Sequence, residues 1–158
     1  MKWIILIYLF LKSMGSIGQT YNIVLIKHIG ESDKPLPTLI IYFKDICNSK
    51  CVQSILSLNK ADFFLKRVIT DVDLTDIFSD VLEDSVLIES KEKLYPFGSY
   101  KITFYQSKDC NNQSVFIRGR KKSIDFFNSV IEKVEERKSE KNNELIISLE
   151  NIIKRINY

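Results

Sequence analysis

The residue types that most often carry nucleophilic, redox or metal chemistry are scarce in this chain: one histidine, His28, and three cysteines, Cys47, Cys51 and Cys110. A single histidine removes multi-histidine metal sites and most catalytic triads in one step. His28 also stands inside an apolar run, where a structural role is the default. A general base needs a nucleophile within hydrogen-bond reach, and no neighbouring residue identifies one. The cysteines say more. Three residues separate Cys47 from Cys51, so a helical turn or a tight loop brings them within bridging distance. A bridge from either to Cys110 would instead staple two distant segments. It would close a loop of about 60 residues, worth about 4 kcal/mol if the disulfide acts by restricting the unfolded chain. The break between an apolar segment and the next element favours Cys47–Cys51, with Cys110 as a free thiol in a polar loop.

Two charged stretches are candidates for partner recognition. Asp71, Asp73, Asp76 and Asp80, continued by Glu83 and Asp84, form an acidic run. A calcium loop needs tightly alternating oxygen ligands and a glycine for its turn, and no glycine lies between Gly30 and Gly98. No metal site is therefore expected. Arg118, Arg120, Lys121 and Lys122 form a compact basic cluster at a strand–helix junction. Arginine forks suit carboxylate and phosphate recognition.

The cysteine pair follows a hydrophobic strand, and the segment from Ser99 through Val134 reads as a hairpin followed by a helix. Together these resemble the thioredoxin fold, the latter segment its C-terminal half. That resemblance implies thiol redox activity at Cys47 and Cys51. The chain departs from the family's pattern at several points. Its spacing is C-x-x-x-C, not the C-x-x-C that lowers a thiol pKa at a helix N-terminus. No Trp or Gly-Pro flanks the cysteines, and the nearest proline before the Ser99 strand is Pro96. Nucleotide-binding, nucleophile-elbow and zinc-protease motifs do not occur, and no cofactor is expected.

The compartment follows from the opening residues. Met1-Lys2 precedes nine apolar residues, Trp3 to Leu11, and then Lys12, Ser13 and the small-residue run Gly15-Ser16-Ile17-Gly18. This order of a positive start, an apolar stretch and small residues predicts a signal peptide over residues 1–18, cut between Gly18 and Gln19. An anchor helix needs about 20 apolar residues, and Lys12 ends this run early. Residues 19–158 are then one secreted or periplasmic domain, where two of the three cysteines should pair. The leader contains Lys2 and Lys12 and no acid, which leaves 21 basic against 20 acidic residues, a net charge of +1. So balanced a domain has no global electrostatic reason to seek nucleic acid or an anionic membrane. Hydrophobic residues make up 45% of the chain, and Gly and Pro are few, which opposes disorder. No later apolar run is long enough for a membrane span.

The elements follow from apolar spacing. Tyr21 to Ile29 and Leu36 to Lys44 read as strands joined in an antiparallel hairpin. The unbroken run Leu39-Ile40-Ile41-Tyr42-Phe43 predicts a strand covered on both faces. Val52, Ile55 and Leu56 predict one short helix, and Phe63, Phe64, Leu65, Val68 and Ile69 a second. A short helix or turn is expected over Leu74 to Leu82, and a strand over Val86 to Glu89. Pro96-Phe97-Gly98 is a turn. Ser99 to Gln106 and Gln113 to Arg118 form a hairpin, with Tyr100, Ile102 and Phe104 on one face. Two helices close the chain, capped by Ser123 and Asn143, with stripes at Ile124, Phe127, Val130, Ile131 and Val134 and at Leu145, Leu149, Ile152 and Ile156. The predicted fold is α+β: a largely antiparallel sheet of four to five strands with a C-terminal helical hairpin on one face. The expected function is that of a non-catalytic protein-binding module, of immunity, inhibitor or adaptor type, whose partner is another protein. The alternative is the thioredoxin-like thiol chemistry.

Overall fold

The computed structural model describes residues 20–34, 36–79, 94–137 and 139–158. Among these, five strands form one mixed sheet: β1 (Ile23–His28), β2 (Thr38–Phe43), β3 (Leu65–Thr70), β4 (Tyr100–Tyr105) and β5 (Asn112–Ile117), in the order β3-β2-β1-β4-β5. Four α-helices accompany them among the described residues: α1 (Lys50–Leu58), α2 (Leu74–Ile77), α3 (Arg120–Glu136) and α4 (Asn143–Asn157). The predicted leader, the Val86–Glu89 strand and Asp80 lie outside the described residues.

The two hairpins form as the sequence predicts. β1 pairs antiparallel with β2 and with β4, and β4 with β5. The α3–α4 pair packs on one face. There Phe127, Val130, Val134, Leu145, Leu149 and Ile152 meet Val24, Ile26, Leu39, Ile41 and Phe104 from the sheet. On the opposite face α1 lays Cys51, Val52 and Ile55 over Ile23, Leu25, Ile40 and Tyr42. β1 and β2 are thus buried on both sides, which is why their apolar runs do not alternate.

β3 departs from expectation. Phe63 to Ile69 was expected to be helical from its spacing, yet Leu65–Thr70 is a strand, parallel to β2 from Thr38↔Leu65 to Phe43↔Thr70. The apolar residues do not share a helix face: Phe63 is 95% exposed, whereas Val68 is fully buried. The burial order in β3 has period two at its end, with Val68 and Thr70 inward and Arg67 and Ile69 outward. Ladder bonding to β2 outweighs the weak local preference, and α1 is the crossover that a parallel pair needs.

Both helix caps are shifted. α3 begins at Arg120 behind Gly119, whose φ of 87° suits a glycine. Ser123 lies inside the first turn, and its Oγ donates to Gly98 O at 2.6 Å. α4 begins at Asn143, one residue earlier than a cap at that position would allow. Asn142, before it, accepts at Oδ1 from Thr70 Oγ1 at 3.1 Å.

The disulfide also differs from the preferred pairing. Cys51 bonds Cys110, with Cα atoms 5.2 Å apart, and Cys47 is a free, half-buried thiol. The reason is local. A Cys47–Cys51 bridge on one helix face requires a helix running through both. Ser49 is extended (ψ 147°), caps α1 with its side chain on Val52 N, and takes Cys47 out of register. Cys51 then faces the sheet, under which the β4–β5 loop carries Cys110. Cys110 holds φ +60°, the one positive φ outside glycine among the described residues.

Candidate functional site

The connections place charge at the two ends of the sheet. At one end lie the β1–β2 loop, the turn before β4, the start of α3 and the end of α4. At the other lie the segment after β3 and the α3–α4 connection. Each end has a cleft, of opposite sign.

The acidic cleft, about 570 Å³, contains Asp71, Asp73, Asp76, Arg137 and Asn142. Its carboxylates are already engaged. Asp73 accepts from Thr75 N (2.9 Å) and caps α2. Asp76 forms an ion pair with Arg137, and Asp71 accepts from Ser139 Oγ at 3.1 Å. Asn142 is 1% exposed, and its Nδ2 finds no partner among the described residues. Among the described residues no group of three or more His, Cys, Asp and Glu is placed to hold a metal ion.

The basic cleft is larger, about 750 Å³, and its cations come from separate elements: Lys34 from the β1–β2 loop, Arg120 from the start of α3, and Lys154 and Arg155 from the last turn of α4. Among the described residues none of the four has a carboxylate within ion-pair distance. Leu36, Phe97 and Tyr158 supply apolar surface in the same cleft, and Glu31 and Asp33 from the β1–β2 loop add two carboxylates to its lining. The Arg120 guanidinium lies over the Phe97 ring, 5.2 Å from its centroid, a cation–π contact. Lys154 and Arg155 offset the negative end of the α4 dipole. Arg120, Lys121 and Lys122 do the reverse at the positive end of α3, where Gly119 offers no side-chain cap. Each such mismatch costs about 0.3–1 kcal/mol, and an anion bound there would relieve it.

The wall holding Phe97 is rigid. Gly98 N–H donates to His28 Nε2 (3.1 Å), and Gly98 O accepts from Ser123. Ser99 Oγ donates to Pro96 O (2.7 Å) and accepts from Gly119 N (2.9 Å). Gly30 passes so close to the turn that a Cβ there would lie 2.2 Å from Pro96 O. His28 packs against both Phe97 and Tyr100. Burial pushes its pKa below the ordinary value, in keeping with an Nε2 that accepts a hydrogen bond. Burial pushes the Tyr100 hydroxyl well above the usual range, opposed by the positive charge of Arg155. Among the described residues that hydroxyl has no hydrogen-bond partner.

Of the basic residues singled out from sequence, Arg120 lines the cleft; Arg118, Lys121 and Lys122 are exposed outside it. Lys34, Phe97, Lys154, Arg155 and Tyr158 were not foreseen. Each looks ordinary locally, and only the fold makes them converge. The hairpin-and-helix unit that resembles half of a thioredoxin fold is β4, β5 and α3. Cys51 sits just inside the crossover helix of a parallel pair, but its sulfur is bonded to Cys110. Comparison with protein-family models, with curated proteins and with solved structures finds no match, so the basic cleft is read from its own residues.

Proposed function

We propose that the chain is an exported, non-catalytic protein-binding module of inhibitor, immunity or adaptor type. The observation that supports this reading is the basic cleft: four cations without carboxylate partners among the described residues, set around an apolar wall that hydrogen bonds hold rigid. Four cations against the two carboxylates of Glu31 and Asp33, on a surface tied down by hydrogen bonds, suit recognition of an acidic partner, because little order is lost on binding. The disulfide accords with an oxidising compartment. The test is cross-linking of the tagged protein in envelope fractions, with the partner identified by mass spectrometry. One stoichiometric protein partner supports the reading. A purified protein that captures no partner and turns over a substrate overturns it.

Thiol redox chemistry at Cys47 and Cys51 keeps one observation in its favour: the free Cys47 packs in the same cluster as Cys51 and Cys110. An insulin-reduction assay tests it, and a protein without exchange activity ends it.

A further inference from the structure

The basic cleft has features that select among anions, and the inference drawn from them rests on the protein-binding reading above. We propose that it binds an acidic peptide segment of the partner that carries an aromatic or large apolar side chain between its carboxylates.

Three observations lead there. The cleft brings together four cations from three elements, enough to meet several carboxylates spaced along a chain as well as a single anion. Leu36, Phe97 and Tyr158 add apolar surface to the same cleft, with the Arg120 guanidinium over the Phe97 ring, so a side chain buried there adds what a simple anion lacks. Glu31 and Asp33, which also line the cleft, repel a dense polyanion, whereas a peptide brings backbone N–H groups that they can accept. The acidic cleft at the far end offers no equivalent, since its carboxylates already have partners.

The experiment uses the purified, oxidised protein and a fluorescein-labelled pentapeptide of four glutamates around a central phenylalanine, followed by fluorescence anisotropy at low salt. Saturable binding is expected. Arg120→Gln or Arg155→Gln should weaken it at least tenfold, and replacing the phenylalanine with glycine should weaken it severalfold. Lys121→Gln, outside the cleft, should change it less than twofold. Both arginines are exposed, and their contacts with Phe97 and the α4 terminus are worth about 1 kcal/mol or less, so the variants should stay folded, with thermal midpoints within a few degrees of the parent. Amide shifts on titration should centre on Phe97, Gly98, Gly119 and Arg120.

No saturable binding, an equal loss with Lys121→Gln, shifts centred elsewhere, or pyrophosphate competing more tightly than the peptide would each overturn the proposal. The two readings fail separately. If the cross-linked partner still binds the Arg120→Gln and Arg155→Gln variants, the cleft assignment falls and the protein-binding reading stands.

Discussion

The Gly98 N–H donates to His28 Nε2 at 3.1 Å, which ties the single histidine of the chain to the turn that holds the cleft wall. An imidazole that accepts at Nε2 must be neutral, with its proton on Nδ1. Protonation would replace that acceptor with a second N–H facing the Gly98 donor.

His28 should therefore make stability depend on pH. Its folded pKa lies below the ordinary 6.5 because burial penalises the charged ring. A depressed pKa contributes stability above pH 6.5, and that contribution is lost as pH falls through 6.5 and the folded value. The thermal midpoint of the native protein should fall between pH 7.5 and 5. His28→Gln, which can still accept from Gly98, should show a smaller drop. Parallel curves for the two proteins would contradict this.

Non-reducing peptide mapping should find a peptide joining Cys51 to Cys110, a mass two hydrogens below the reduced chain, and Cys47 alkylated in denaturant without reduction. The bridge spans 59 residues, so Cys51→Ser with Cys110→Ser should cost about 4 kcal/mol in urea unfolding. A peptide joining Cys47 to Cys51 would refute the pairing.

The turn should be sensitive to single atoms. Gly98 has φ +81°, and a Cβ there would lie 2.9 Å from Arg120 Cα. Gly98→Ala should cost about 2 kcal/mol or more. Ser123→Ala leaves the buried Gly98 carbonyl without its hydroxyl donor and should cost about 1–3 kcal/mol. Denaturant midpoints measure both.

Tyr100→Phe should be neutral or should stabilise by up to about 1 kcal/mol. The hydroxyl is buried without a partner among the described residues, so folding strips its water and these residues return no hydrogen bond. The ring keeps its edge-on contact with Phe127, at 5.1 Å. A loss above about 1 kcal/mol in calorimetry would show that the hydroxyl has a partner in solution.

The β3 assignment is testable by a pair of substitutions. Phe63→Ser should change stability by less than about 0.5 kcal/mol, since the ring is 95% exposed. Val68→Ala should cost on the order of 2 kcal/mol. A helix through Phe63 to Ile69 would make both residues matter.

The sequence by itself determined the elements whose signals are local and redundant. Tyr100 to Tyr105 alternates, Leu39 to Tyr42 is continuously apolar, and the two C-terminal stripes repeat at helical spacing; each pattern reports burial by one or two neighbours, and burial is what side-chain type encodes most directly. The α+β class followed from these. Tertiary structure alone decided the rest. Val68 and Thr70 became a strand because β2 offered a bonding edge to a segment with mixed spacing. Cys51 met Cys110 because Ser49 set the phase of α1 and the sheet brought a loop 59 residues away beneath it. Lys34, Arg120 and Arg155 share a cleft because the β1–β2 loop, the start of α3 and the last turn of α4 lie at one end of the sheet. Long-range encounters of this kind leave no mark on local composition, since each partner alone looks like an ordinary surface residue.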